Sequence, residues 1–318
     1  MPREIVIDCD PGHDDALAIL LAHGSRELEL LAITTVAGNQ TLDRTTLNAR
    51  RVCTLAGIHG VPIVAGCDRP LRRDLVTAAA VHGESGLDGI EWPEPAVELT
   101  PGHAADLIVD LVTASPGEVT LVPIGPLTNV ATALRREPRI ASEVREVVLM
   151  GGAYTRGNRT PAAEFNIFVD PEAAALVFEA GWPLTMVGLD LTRQARTTRA
   201  VVERIRAVAS PVTDAVVGLL EFYGRAHWSR RGDPGDGPPL HDPCAVARVI
   251  DPALVGCREA FVAVETRGEW ISGMTVTDFE GRLGHRPNAA VATTLDVPRF
   301  WDVLLSALGE EEEPGRSA

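Results

Sequence analysis

Lysine is absent: all 29 basic residues of the 318-residue chain are arginines. That absence removes Schiff-base chemistry, cofactor attachment through an amine, the phosphate-cradling lysine of P-loops and Ser–Lys nucleophile pairs. Positive charge is scarce altogether, with 29 bases facing 44 acids for a net charge of −15. Phosphate backbones need clustered positive charge, which argues against nucleic acid as a main partner. Aromatic residues make up only 4%, too few for a base-stacking platform. Cysteine is equally thin. Cys9, Cys53, Cys67, Cys244 and Cys257 form no CxxC or metal-finger spacing, as expected of reduced thiols in a cytoplasmic protein. No apolar run approaches the ~18 residues of a membrane span, and the residues after Met1 have no signal-peptide layout. The expectation is a soluble, cytoplasmic chain without a membrane partner.

What is present is a hydrophobic fraction of 45%, enough for a large core. Short apolar runs alternate with helical patterns. Strands are expected at 4–8, 28–36, 62–65, 119–122, 146–150 and 184–187. Helices are expected at 14–23, 41–55, 104–113, 127–135 and 171–179. Repeated strand–helix units imply a mostly parallel open sheet with helices on both faces, a Rossmann-like α/β fold. Two more helices (198–209 and 211–225) follow, then a Gly/Pro-rich loop at 231–239 and a helix from Asp242. Three β-rich segments (257–266, 272–278, 288–295) and a last helix at 298–308 complete the pattern. Nothing divides it, so one large domain is expected over 1–309, with 310–318 an acidic, disordered tail. The stretches 66–100 and 226–240 are expected as loops at the edge of a site.

The densest chemical signal is Asp8-Cys-Asp10-Pro-Gly-His13-Asp14-Asp15, four carboxylates in eight residues at a strand-to-helix turn. Helix capping and the macrodipole account for one or two of them, not four. Crowded carboxylates raise one another's pKa unless a cation neutralises them. With no soft ligand nearby, that cation is a hard one, Ca²⁺ or Mg²⁺. Pro11, Gly12 and the apolar Ile19 exclude an EF-hand register. Further polar or glycine turns close the later strands: Gly38-Asn39, Gly125-Pro126, Gly151-Gly152 and Gly188-Leu-Asp190. In open parallel sheets ligands bind at that end. Asp242, in Leu240-His241-Asp242-Pro243, reads either as an N-cap with proline at N1 or as a metal carboxylate beside a titratable histidine. The loop from Gly157-Asn158 to Glu164-Phe165-Asn166 carries amide and carboxylate groups suited to a polyol.

Taken in order, five segments resemble the inosine-uridine preferring nucleoside hydrolase family. They are Asp8-x-Asp10-Pro-Gly-x-Asp14-Asp15-Ala, Pro123-Ile-Gly-Pro-Leu-Thr-Asn129, Met150-Gly-Gly, the stretch from Gly157-Asn158 through Glu164-Phe-Asn166 to Asp170-Pro-Glu-Ala-Ala174, and His241-Asp242-Pro243. The resemblance runs from Ile5 to about Trp301. It implies Ca²⁺ held by Asp10, Asp15, Asp242 and the main-chain carbonyl of Ile124, where the family often has threonine. It implies that Asp14, Asn39, Glu164 and Asn166 hold the ribose hydroxyls, with Asn158 near the 5′-OH, and Met150 and Phe165 in the sugar pocket. Asp242 also counts as a substrate contact. Asp10 is the implied general base for the metal-bound water and His241 the implied proton donor to the leaving base. His82 and His13 look like histidines of pyrimidine-preferring members, while Tyr223, His227 and Trp228 fall where the family places a mobile helix over the base.

The implied activity is hydrolysis of ribonucleosides to ribose and free base through a ribosyl oxocarbenium-like transition state. Uridine and cytidine are slightly favoured; a purine-preferring or non-specific enzyme is the alternative. Cleaving an N-glycosidic bond needs a stabilised ribosyl cation, a held water and an activated leaving group, and none of these requires lysine. The implied partners are a nucleoside substrate and further copies of the chain, as a dimer or tetramer. A phosphatase of the haloacid-dehalogenase type shares the Asp8-x-Asp10 pair but ordinarily uses a lysine. A catalytically silent Ca²⁺- or nucleoside-binding protein is the rival from another class.

Overall fold

The first strand shows why the sheet is buried on both sides. In β1 (Arg3–Cys9) Ile5, Ile7 and Cys9 enter one core cluster, while Val6 between them enters a second. Apolar residues at successive positions point to opposite faces, so a continuous apolar run needs cover above and below. β4 (Thr120–Pro123) and β5 (Glu146–Met150) repeat the division, with Val122, Val148 and Met150 on one side and Leu121, Val147 and Leu149 on the other.

The structure, a computed structural model, describes residues 1–231 and 237–309, with the side chains of 226–231 left out. The remaining strands are β2 (Leu28–Thr35), β3 (Ile63–Ala65), β6 (Leu184–Val187), β7 (Val255–Val264), β8 (Thr275–Asp278) and β9 (Ala289–Leu295). Their order is β3-β2-β1-β4-β5-β6-β9-β7-β8. Pairing is parallel from β3 through β9 and antiparallel only where β7 joins β9 and β8. The expected mostly parallel α/β sheet is therefore present, with an antiparallel hairpin as its far edge. On one face the helix His13–Gly24 packs against the helices Pro243–Ile250 and Val297–Gly309. On the other, Thr128–Arg136 packs between Ala104–Ala114 and Pro171–Glu179.

The run 3-2-1-4-5-6 reverses direction between β1 and β4. Crevices of open α/β sheets form at such a switch point, outside the carboxyl ends of the strands. Asp8 and Asp10 leave β1 there, and Ile124 leaves β4 beside them.

Two expectations for loops need correction. The helix expected to stop at Arg225 runs over Pro211–Arg231, because Ala226–Arg231 contains no glycine or proline and the breakers begin at Gly232. Within 66–100 a one-turn helix, Ala79–His82, interrupts the loop and buries His82. The loop residues 232–236, the tail 310–318, and the side chains of His227 and Trp228 lie outside the described residues. Among the described residues no helix is long and apolar enough to cross a membrane.

Candidate active site

The acidic turn is built by main-chain donors. Asp15, three residues into the first helix, accepts from the Gly12 amide at 2.9 Å and the Asp10 amide at 3.1 Å. This is the reach-back half of a capping box. Asn39, at the end of the β2 turn, then clamps the loop. Its amide nitrogen donates to Asp10 Oδ2 at 2.6 Å, and its side chain donates to the Asp10 carbonyl and to Asp15 Oδ2, both at 3.2 Å. Two glycines make room for the Asp10 carboxylate. A Cβ at Gly38 would overlap Asp10 Oδ2, and one at Gly125 would lie 2.6 Å from Oδ1. Behind it, Asp8 Oδ1 accepts from Asn129 Nδ2 at 2.7 Å and Thr34 Oγ1 at 2.6 Å.

Asp242 settles its own ambiguity. It precedes Pro243 at the helix start, yet its backbone is helical and its side chain caps nothing. The carboxylate instead turns into the acidic turn and shares a hydrogen bond with Asp15. Asp14, Asp15 and Asp242 each offer an oxygen within 4.8 Å of the other two, and all three are buried. Asp10 Oδ1 and Asp8 Oδ2 are buried with no hydrogen-bond partner. Burial first, then mutual repulsion, pushes the carboxyls of Asp10 and Asp242 far above the usual range and that of Asp14 up to about 7. Burial and one another's charge thus disfavour the ionised forms, and a cation reverses that. The donors are all oxygens, which suits a hard divalent ion.

A cavity of about 250 Å³ opens over this floor, lined among others by Asp14, Asn39, His82, Ile124, Met150, Asn158, Glu164, Phe165, Asn166, Tyr223, His241 and Asp242. Residues far apart in the chain, from Asp14 to Asp242, converge there. Glu164 caps the helix Phe165–Val169, its oxygens accepting from the amides of Asn166, Ile167 and Gly152 at 2.9, 3.1 and 3.1 Å. Asn166 Nδ2 donates to the Ile124 carbonyl at 2.7 Å and the Met150 carbonyl at 3.1 Å, so the candidate carbonyl ligand already has one fixed neighbour. Asn158 Oδ1 accepts from the Phe165 amide at 2.9 Å. His241 Nδ1 meets Thr192 Oγ1 at 2.7 Å, and burial, helped by Arg193 and Arg196, lowers its pKa to about 4.

The sequence reading missed Thr192, which follows the Gly188-Leu-Asp190 turn already marked as a strand end. It also missed the roles of Asn39 and Asn129 as clamps on the carboxylates. Their turn positions were visible, but not the partners they reach. Thr77, Ala78 and Arg159 also join the cavity lining, from two loops already marked as bordering a site but without being singled out as residues.

The model of the inosine-uridine preferring nucleoside hydrolases matches residues 5–302. The chain belongs to that family. An inosine-uridine preferring nucleoside hydrolase of Leishmania major is 48% identical over 99% of this chain and all of its own length. A pyrimidine-specific ribonucleoside hydrolase, RihA, of Shewanella woodyi is 47% identical over 97% of this chain and 98% of its own. Among solved structures, a purine-preferring ribonucleoside hydrolase of Gardnerella vaginalis superposes with a TM-score of 0.91 at 33% identity, covering 97% of this chain and 99% of the other. The resemblance read from the five segments is thus borne out over the whole span assigned to it. These relatives are ribonucleoside hydrolases, which cleave N-glycosidic bonds.

Proposed function

We propose that this chain hydrolyses the N-glycosidic bond of ribonucleosides, giving ribose and free base, with uridine and cytidine favoured over purine nucleosides and Ca²⁺ as its metal. The observation that carries this reading is the buried carboxylate floor, with one Asp10 oxygen unpartnered, beneath a cavity that also holds Asn166, Glu164 and His241. Asp10, Asp15, Asp242 and the Ile124 carbonyl would hold the ion; a carbonyl has two lone pairs, so the Asn166 contact leaves one. When bound, the cation supplies positive charge to the floor and acidifies water.

The chain's own groups do the rest. Asp10 Oδ1 takes the proton of the attacking water. Asp14, Asn39, Glu164 and Asn166 hold the ribose hydroxyls, Asn158 takes the 5′-OH, and Met150 and Phe165 pack against the sugar. Fixed carboxylates beside the ring favour the positive charge that grows on the ribose as the bond to the base lengthens. His241, oriented by Thr192, donates to the departing base. The pyrimidine preference is supported by His82 in the cavity wall and by the identity to RihA.

The test is kcat/KM for uridine, cytidine, inosine and adenosine, read as released reducing sugar, with and without Ca²⁺. Ca²⁺-dependent ribose release, largest for the pyrimidines, is expected. Metal binding without ribose release from any nucleoside would sink the hydrolase reading in favour of a silent binding protein.

A further inference from the structure

Asn48 does not line the cavity, yet it is tied to the floor and to the side wall at once. It sits in the helix Leu42–Leu55 and is fully buried. Its Nδ2 donates to the Pro11 carbonyl at 3.1 Å and to the Ser85 carbonyl at 2.9 Å. Both partners are carbonyls, which only accept, so the side-chain nitrogen faces them and the oxygen faces away. That oxygen is buried without a hydrogen-bond partner, an arrangement that costs stability. The amide is held in this orientation by its two donated bonds alone. Room for it is made at Gly86, at φ +84°, where a Cβ would lie 3.0 Å from Asn48 Nδ2.

The Pro11 carbonyl matters through its own peptide. The chain has no cis bond, so the Pro11–Gly12 peptide is a trans plane whose C=O and N–H point in opposite directions. The Gly12 N–H donates to Asp15 Oδ2 at 2.9 Å. One rigid plane is thus gripped at its oxygen by Asn48 and at its hydrogen by Asp15. Turning the plane to release Asn48 would swing the N–H off the carboxylate. A bond accepted by the carbonyl also polarises the N–H across the peptide and strengthens the second bond.

Alternatives to this grip are weaker. The other donor to Asp15 Oδ2, Asn39 Nδ2, stands farther off at 3.2 Å. The second hydrogen of Asn48 Nδ2 is committed to Ser85, in the loop that follows His82. The amide therefore cannot swivel away from Pro11 without losing its hold on that loop.

We propose that Asn48 is a positioning residue for Asp15: through the Pro11–Gly12 peptide it aims the Gly12 N–H, and so fixes the Asp15 carboxylate among the oxygens that hold the cation. The cation step rests on the metal reading above; the peptide clamp does not.

Asn48→Leu keeps the size of the side chain and removes both donors. Two readouts are taken on metal-free protein: hydrogen exchange at the Gly12 amide by NMR, and calorimetric titration with Ca²⁺ alone. Val52→Ala, a core truncation on the same helix, measures the effect of lost stability by itself. Wild type is expected to protect the Gly12 amide. Asn48→Leu is expected to exchange it roughly tenfold faster and to bind Ca²⁺ roughly tenfold more weakly. Val52→Ala is expected to lower Tm and to leave Gly12 exchange and Ca²⁺ affinity unchanged. A wild-type Gly12 amide that exchanges as freely as an unstructured one overturns the clamp, even where Asn48→Leu does not fold. Unchanged Ca²⁺ affinity in Asn48→Leu, or an equal loss in Val52→Ala, overturns the positioning role. Should wild type bind no Ca²⁺, the metal reading falls and the cation step with it, while Gly12 exchange in Asn48→Leu still decides the clamp.

Discussion

The floor and the side wall of the cavity are built on opposite principles. The floor is acidic, and three of its four carboxylates, Asp10, Asp14 and Asp15, come from one turn of six residues. Only Asp242 arrives from afar. The wall is neutral and aromatic, and its members His13, His82, Phe222 and Tyr223 span 210 positions of chain. Asp10 and Asp15 are held by main-chain amides and by Asn39, whereas the wall is held by ring stacking and one histidine pair. A site that concentrates charge needs rigid short-range donors, because each ångström of misplacement is costly in a low-dielectric pocket. A site that greets a flat neutral base needs area and one directed hydrogen bond, which distant segments can supply together.

The sharpest way to break this contrast is at the floor. Asp10→Asn keeps the shape but removes the proton acceptor, and kcat on uridine is expected to fall by about 10³–10⁴-fold. Equal rates for the variant and wild type in the reducing-sugar assay would refute the role given to Asp10. At the rim between floor and wall, His241→Ala is expected to lose roughly 10²-fold on nucleosides with poor leaving groups. A donor must be protonated, and the ring's pKa is lowered to about 4. The protonated fraction, and with it the ratio of wild type to variant, should therefore grow as pH falls from 8 to 5. A flat ratio across that range would remove His241 as the donor.

Metal removal tests the floor by stability. Asp14 has its pKa raised to about 7, and Asp10 and Asp242 are raised further. A carboxyl whose folded pKa is raised stabilises the fold fully below its ordinary pKa and loses that contribution as pH climbs through the folded value. Chelated protein should thus melt lower at pH 8 than at pH 5, and Ca²⁺ should restore on the order of 5–10 °C at pH 8. Scanning calorimetry at both pH values checks the sign. The smallest expected effect is at the wall: Tyr223→Leu should raise KM for all nucleosides by about 2–10-fold and leave kcat nearly unchanged. A large fall in kcat instead would place Tyr223 with the floor.

Much of the floor was legible because its residues are neighbours in sequence and sit where a parallel strand must end. Asp8 to Asp15, Gly38-Asn39, Gly125 and Gly151-Gly152 all fall at the carboxyl ends of strands whose apolar runs are unmistakable. Asp242 was ambiguous for a physical reason. A carboxylate before Pro243 satisfies a cap and a cation equally well, and only the fold shows that it caps nothing. The wall was not legible as a unit, because a histidine 69 positions from its partner gives no periodic or spacing signal. The same holds for Thr192, 49 positions before His241.

By itself the sequence determined the layered α/β plan, the excess of carboxylates at one strand end and, through the missing lysine, that positive charge at the site comes from arginine, histidine or an ion. Tertiary structure alone decided that Asp242 closes on Asp14 and Asp15, that Asn39 rather than any neighbour in sequence clamps Asp10, and that His82 lies in the cavity wall against His13. Local sequence encodes what one turn or one strand can satisfy within a few residues. Charge crowding and proton placement depend on distances between segments that only the assembled sheet sets.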